Sequence, residues 1–186
     1  GHSGFRLDGT TAGDYSGTSI SNAGDVNGDG FADLLVGASG ADPNGDDSGS
    51  SYVVFGKATG FDATLNLSSL NGNNGFRLDG VSAFDVSGYS VSSAGDVNGD
   101  GFADVLVGAF NADTSDDFTG ASYVVFGKAT GFDATLNLSD LDGSSGFRID
   151  GALSLDNAGI SVSDAGDVNG DGFADLLIGA VGASPN

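Results

Sequence analysis

The chain of 186 residues has no cysteine, no methionine and no tryptophan, one histidine, two prolines and only five lysines and arginines. Without cysteine there is no disulfide framework, no Cys-based zinc site and no thiol nucleophile. Imidazole chemistry has no footing either, because His2 lies in Gly1, His2 and Ser3, a stretch that reads as a remnant of cloning outside the fold. The missing methionine, an initiator included, marks the sequence as an expected internal segment of a longer protein. Apolar runs such as Leu34 to Val36 and Val105 to Val107 end in glycine, far short of the ~20 residues a bilayer-spanning helix needs.

Charge of one sign is also scarce. Twenty-six acids against five bases leave a net charge of −21, which repels a phosphate backbone or an anionic lipid surface within a Debye length of about 8–10 Å. Nucleic acid and membrane insertion are therefore excluded as expected partners. So large an excess also strains a compact fold unless cations bind where the acids cluster. The 39% hydrophobic content suits one modest globular domain.

What the chain does contain is a repeat. GFRLDG at Gly4 returns at Gly75 and, as GFRIDG, at Gly146; GDVNGDGFAD at Gly24 returns at Gly95 and Gly166, every spacing being 71 residues. SYVVFGKATGFDATLNLS recurs from Ser51 and Ser122. The division is residues 1–3 outside the fold, repeats at 4–74 and 75–145, and a shortened third repeat at 146–186. Short segments rich in β-branched and aromatic residues, bounded by Gly, Asn, Asp and Ser, predict four strands per copy: Thr18 to Ala23, Ala32 to Gly37, Ser51 to Phe55, and one from Phe76 to Leu78 or a residue beyond. A helical turn is expected at Asn66 to Leu70. ADLLVGA is a continuous apolar run, which predicts a strand covered on both faces. The fold class is all-β: four-stranded antiparallel propeller blades, about two and a half per chain.

Each copy carries DxNxDGxxD. The candidate metal ligands are Asp25, Asn27, Asp29, Phe31 and Asp33; Asp96, Asn98, Asp100, Phe102 and Asp104; and Asp167, Asn169, Asp171, Phe173 and Asp175. Alternate positions of a tight loop converge on one centre, and the sixth-position Gly30, Gly101 or Gly172 permits the turn. Three carboxylates, one amide oxygen and the Phe carbonyl, its ring expected to pack inward, suit Ca²⁺, about three ions per chain. Mg²⁺ demands a smaller octahedron, and zinc or copper prefers ligands absent here. An EF-hand loop needs an acid at position twelve followed by a helix, but Val36, Val107 and Ile178 occupy that position inside an apolar strand. Asp, Asn and Gly are also common turn formers; three copies of the same spacing favour the metal.

Other recurring residues carry lesser expectations. Asp42, Asp46 and Asp47, with Asp113, Asp116 and Asp117, could hold a second cation, but their spacing shifts between copies and they read as a solvated acidic loop. Asp8, Asp79 and Asp150, like Asp14, Asp85 and Asp156, are assigned blade-to-blade hydrogen bonds, and Arg6, Arg77 and Arg148 pairing with nearby acids. Tyr52 and Tyr123 read as packing residues before a sugar-stacking platform. No Ser-His-Asp, Cys-His or phosphate-loop arrangement is present, so no enzymatic role is expected.

The run GTSISNAGDVNGDGFADLLVGA followed by GSSYVVFGK resembles the FG-GAP repeats of integrin α-subunit propellers and of many large bacterial proteins. The resemblance implies that the calcium loop joins the first and second strands of a blade, and that seven blades usually close the ring. It implies a secreted or cell-surface scaffold for adhesion that binds a protein or glycan ligand; alternatives are a carbohydrate-binding propeller and an accessory domain of a larger secreted enzyme. With the third copy stopping at Pro185 and Asn186, after its second strand, unpaired blade edges predict self-association into an oligomer.

Overall fold

A computed structural model describes residues 4–112 and 118–184; Gly1 to Ser3, Asp113, Asp116, Asp117, Pro185 and Asn186 lie outside the described residues. The strands are β1 (Arg6–Asp8), β2 (Ser16–Gly24), β3 (Asp33–Ala38), β4 (Ser50–Val54), β5 (Thr64–Asn66), β6 (Gly75–Asp79), β7 (Ser90–Gly95), β8 (Asp104–Ala109), β9 (Ala121–Val125), β10 (Thr135–Asn137), β11 (Gly146–Asp150), β12 (Ala158–Gly166) and β13 (Asp175–Ala180). One blade is the antiparallel series β2-β3-β4-β6 and the next is β7-β8-β9-β11; β12 and β13 form the two-stranded start of a third. The GFRLDG motif is thus the last strand of one blade, and the loop GDVNGDGFAD joins a blade's first two strands.

The blades exist because each sheet is apolar on both faces. Along β3, Leu35 points with Val53, Phe76 and Leu78 into a core shared with the second blade, where Val105, Val107, Tyr123 and Val125 face back. Val36, Tyr52 and Val54 point the other way. In the second blade Leu106 and Val124 turn toward Val162, Leu176 and Ile178 of the third. Successive side chains alternate between faces, so two buried faces produce the uninterrupted apolar run. Every residue of β8 and β9 is buried.

Beyond the four antiparallel strands lies a short fifth one that the composition does not announce. Between the third and fourth strands of each blade, the segment GKATGFDATLN crosses to the preceding blade, where β5 pairs in parallel with β1 and β10 with β6. Phe132 from this strap stacks on Phe76 with ring centroids 4.7 Å apart, as Phe61 stacks on Phe5 at 4.2 Å. Lys128 and Lys57 lie over those strap rings. The strap ends in a single 3₁₀ turn, Leu67–Ser69, capped by the Asn66 side chain, with Leu67 in the core. That places the expected helical turn. The strap covers the outer edge of the preceding blade, an edge that would otherwise present unpaired backbone groups.

The inner strands of neighbouring blades approach closely. A Cβ at Gly108 would lie 2.1 Å from the Gly159 carbonyl oxygen, whereas at the matching Gly179 the nearest atom would be 3.4 Å away. Gly108→Ala is therefore expected to destabilise the fold by about 1–3 kcal/mol through overpacking, while Gly179→Ala stays within about 0.5 kcal/mol. Leu106→Ala, at a site with no exposure, is expected to cost about 2–5 kcal/mol. Denaturant unfolding of the three variants measures all of these, and equal losses at Gly108 and Gly179 would contradict the packing account.

Candidate metal centre

The loop begins where β2 ends and finishes as β3 starts. Left-handed backbone at Gly28 (φ 71°) and Gly30 (φ 88°) curls the chain, and the side chains at its first, third and fifth positions take up the exposed N–H groups. Asp25 accepts from Asp29 N at 3.0 Å and from Gly30 N at 2.8 Å; Asn27 Oδ1 accepts from Asp29 N at 3.0 Å; Asp29 Oδ1 accepts from Phe31 N at 2.9 Å. The second loop repeats this pattern through Asp96, Asn98 and Asp100. The third does so through Asp167, Asn169 and Asp171. In each copy these three side chains thus fold back onto N–H groups of their own loop.

The ninth-position acids sit differently. Asp33 and Asp104 are fully buried, and each carboxylate ties two segments together. Asp33 accepts from Val26 N and from Gly56 N, both at 2.8 Å; Asp104 accepts from Val97 N and Gly127 N, both at 2.9 Å. The loop is thereby anchored to the glycine two residues beyond the blade's third strand. In the third copy Asp175 accepts from Val168 N and from the Asn169 amide. The FGK glycines were absent from the ligand pattern, and their recurrence after the third strand is the signal that could have found them.

Burial pushes Asp33 up to about 6, against the two backbone hydrogen bonds, and the charges of Asp29 and Asp25 push it further in the same direction. Asp104 is also pushed up to about 6, first by burial and then, beyond its two hydrogen bonds, by Asp100 and Asp96. In the first two loops the outer carboxylates thus act on the buried ninth-position acid through space, and a cation among them would relieve that repulsion. Among the described residues, no three His, Cys, Asp or Glu side chains already stand as a metal-holding cluster. The donors present are hard oxygens, which fit Ca²⁺ or a similar hard divalent ion.

The Phe rings depart from their expected inward packing. Phe31 and Phe173 are exposed at 40% and 46%, and the rings of Phe102 and Phe173 lie across the preceding loop, against Gly28 and Gly99. The recurring acids outside the loops also serve nearer neighbours than expected. Asp14, within its own loop, accepts from Thr11 N and the Thr10 hydroxyl, and Asp156 accepts from Leu153 N. Asp79 is held by Arg77 and by Ser50 of the same blade. Arg6 pairs with Asp8 and Arg148 with Asp150, each two residues along a strand and so on the same face. Asp42 accepts from Asp47 N. Tyr52 and Tyr123 are 2% and 1% exposed, which places them in the core and away from any ligand platform.

The sequence of these blades is similar to that of known proteins. A model of the FG-GAP repeat matches residues 16–54, 87–125 and 160–184, together more than half the chain. Integrin alpha-4 of Xenopus laevis is 30% identical over 180 residues, 95% of this chain. Integrin alpha-V of Gallus gallus is 30% identical over 173 residues, 90% of the chain. Integrin alpha-PS5 of Drosophila melanogaster is 34% identical over 177 residues, 94% of the chain. The chain spans 15–16% of the length of these relatives. With three matched repeats folded as successive blades, the chain belongs to the FG-GAP repeat family.

Proposed function

We propose that each loop binds one Ca²⁺, about three per chain, and that the chain is a calcium-stabilised propeller module serving as a non-enzymatic scaffold for binding and adhesion. The observation that carries this reading is the recurrence of one hard-oxygen loop with the same hydrogen-bonded curl in all three copies. The ligands would be Asp25, Asn27, Asp29, the Phe31 carbonyl and Asp33, with Asp96, Asn98, Asp100, Phe102 and Asp104, and Asp167, Asn169, Asp171, Phe173 and Asp175, in the same roles. Bound Ca²⁺ would supply the positive charge that a chain of net charge −21 lacks. The repeats at residues 4–74, 75–145 and 146–186 would each contribute one such loop.

The expected site of action is outside the cell or at its surface, where calcium is abundant enough to fill sites of modest affinity. Among the described residues no helix is long and apolar enough to cross a membrane. The integrin relatives favour a protein ligand over a glycan, and the burial of Tyr52 and Tyr123 keeps those two rings from stacking on a sugar. Among the described residues β11 and β13 each have a strand partner on one side only. A second copy pairing there is the basis for the self-association in this reading.

Calorimetric titration is expected to give about three Ca²⁺ per chain. Calcium at about 100 times Kd should stabilise the fold by about 2.7 kcal/mol per site, seen as a rise in melting temperature that EDTA reverses. Calcium that changes neither heat nor melting would reduce the loops to turns. Light scattering of the calcium-loaded chain is expected to exceed the 18.2 kDa of a monomer; a monomer would remove self-association and leave calcium binding standing.

A further inference from the structure

Each loop seats the next through contacts that recur between both pairs of blades. Ala103 N donates to the Asp25 carbonyl and Ala174 N to the Asp96 carbonyl, each at 3.1 Å. The Phe102 ring covers Gly28 and the Phe173 ring covers Gly99 so closely that a Cβ at those glycines would come within 2.4 and 2.5 Å of a ring carbon. The methyl groups of Ala103 and Ala174 fill the space over Gly24 and Gly95 in the same way, at 2.4 and 2.5 Å. All four glycines hold left-handed φ values between 70° and 77°. A side chain there would meet both backbone strain and collision. Lys128 N adds a third tie, donating to the Val26 carbonyl at 3.0 Å.

We propose that the three loops bind cations as a coupled array, each occupied loop raising the affinity of its neighbour; this rests on the reading of the loops as calcium sites. The link is a single peptide group. In the Phe102–Ala103 peptide, the carbonyl is the seventh-position donor of the second loop, and the N–H is the donor to Asp25, the first residue of the first loop. Drawing electron density toward that carbonyl makes the N–H a stronger donor, which fixes Asp25 where its carboxylate is needed. The Phe173–Ala174 peptide bears the same relation to the third loop and Asp96. Ordering of the seventh residue also holds its ring in place over the preceding glycine, so the turn beneath it loses less freedom when its own ligands order. By linkage the effect is reciprocal: the first loop favours the second as much as the second favours the first.

A thermodynamic cycle tests this. Asp25→Asn with Asp29→Asn leaves the second and third loops. Adding Asp167→Asn and Asp171→Asn to that pair leaves the second alone, and adding Asp96→Asn and Asp100→Asn instead leaves the third alone. Calcium titration of the three proteins is expected to give a two-ion constant exceeding the product of the single-loop constants by about fivefold or more. A two-ion constant equal to that product overturns the coupling and leaves calcium binding intact. A wild-type chain that binds no calcium overturns the underlying reading itself. Should a multiply substituted chain fail to fold, Phe173→Ala keeps every donor atom while removing the ring over Gly99. Its overall constant for three ions is expected to fall about threefold or more, and an unchanged constant overturns the ring's part in the coupling.

Discussion

A four-stranded sheet with apolar side chains on both faces has no stable existence alone, and the whole molecule follows from that constraint. Leu35 and Val53 on one face, and Val36 and Val54 on the other, need a cover on each side. The second blade supplies it for Leu35 and Val53, while Leu65, Leu67 and Leu70 of the strap pack against Val36 and Val54, at about 1.5–3 kcal/mol per fully buried aliphatic side chain. Stability is then a property of neighbouring blades more than of any one. Where the neighbour is present Leu106 is fully buried; its counterpart Leu177, on the outer face of the third blade, is 62% exposed.

The close stacking decides what the connections must be. Gly37 and Gly108 exist because the next blade's inner strand passes within a Cβ's reach. The strap after each third strand crosses back to close the preceding blade's outer edge and carries its own aromatic stack and its own lysine. Two of the five cations of a very acidic chain are spent on these straps, and the other three are paired with acids along the last strands. No cation is thus committed to the Asp-rich loops by the described contacts. Their charge stands open to an ion from solution.

The loops join both themes. Asp33 and Asp104 are buried acids that do the work of a backbone clamp, fastening the loop to the end of the third strand. The remaining donors close the loop on itself through N–H groups of consecutive residues. A loop so held loses less conformational entropy on binding than an unfolded segment would. Its residues also form part of the contact between blades, so the chemistry of the loop and the packing of the fold share the same few peptides.

Much of this could be read from the residues alone. The 71-residue period, the four strands, the placement of Asp25, Asn27 and Asp29 in one loop, and the packing role of Tyr52 follow from local pattern, because alternation, turn chemistry and repetition act over a few residues or between identical copies. Only the tertiary structure decided that the TLN segments form parallel strands on the preceding blade, that Phe102 lies on Gly28 rather than inward, that Asp33 reaches Gly56, and that Asp14 serves its own loop. Three of these unite groups from different blades or distant strands, and the fourth is a choice between partners that a short carboxylate could equally have made. Local pattern carries no signal for a contact whose distance is set by how two sheets stack.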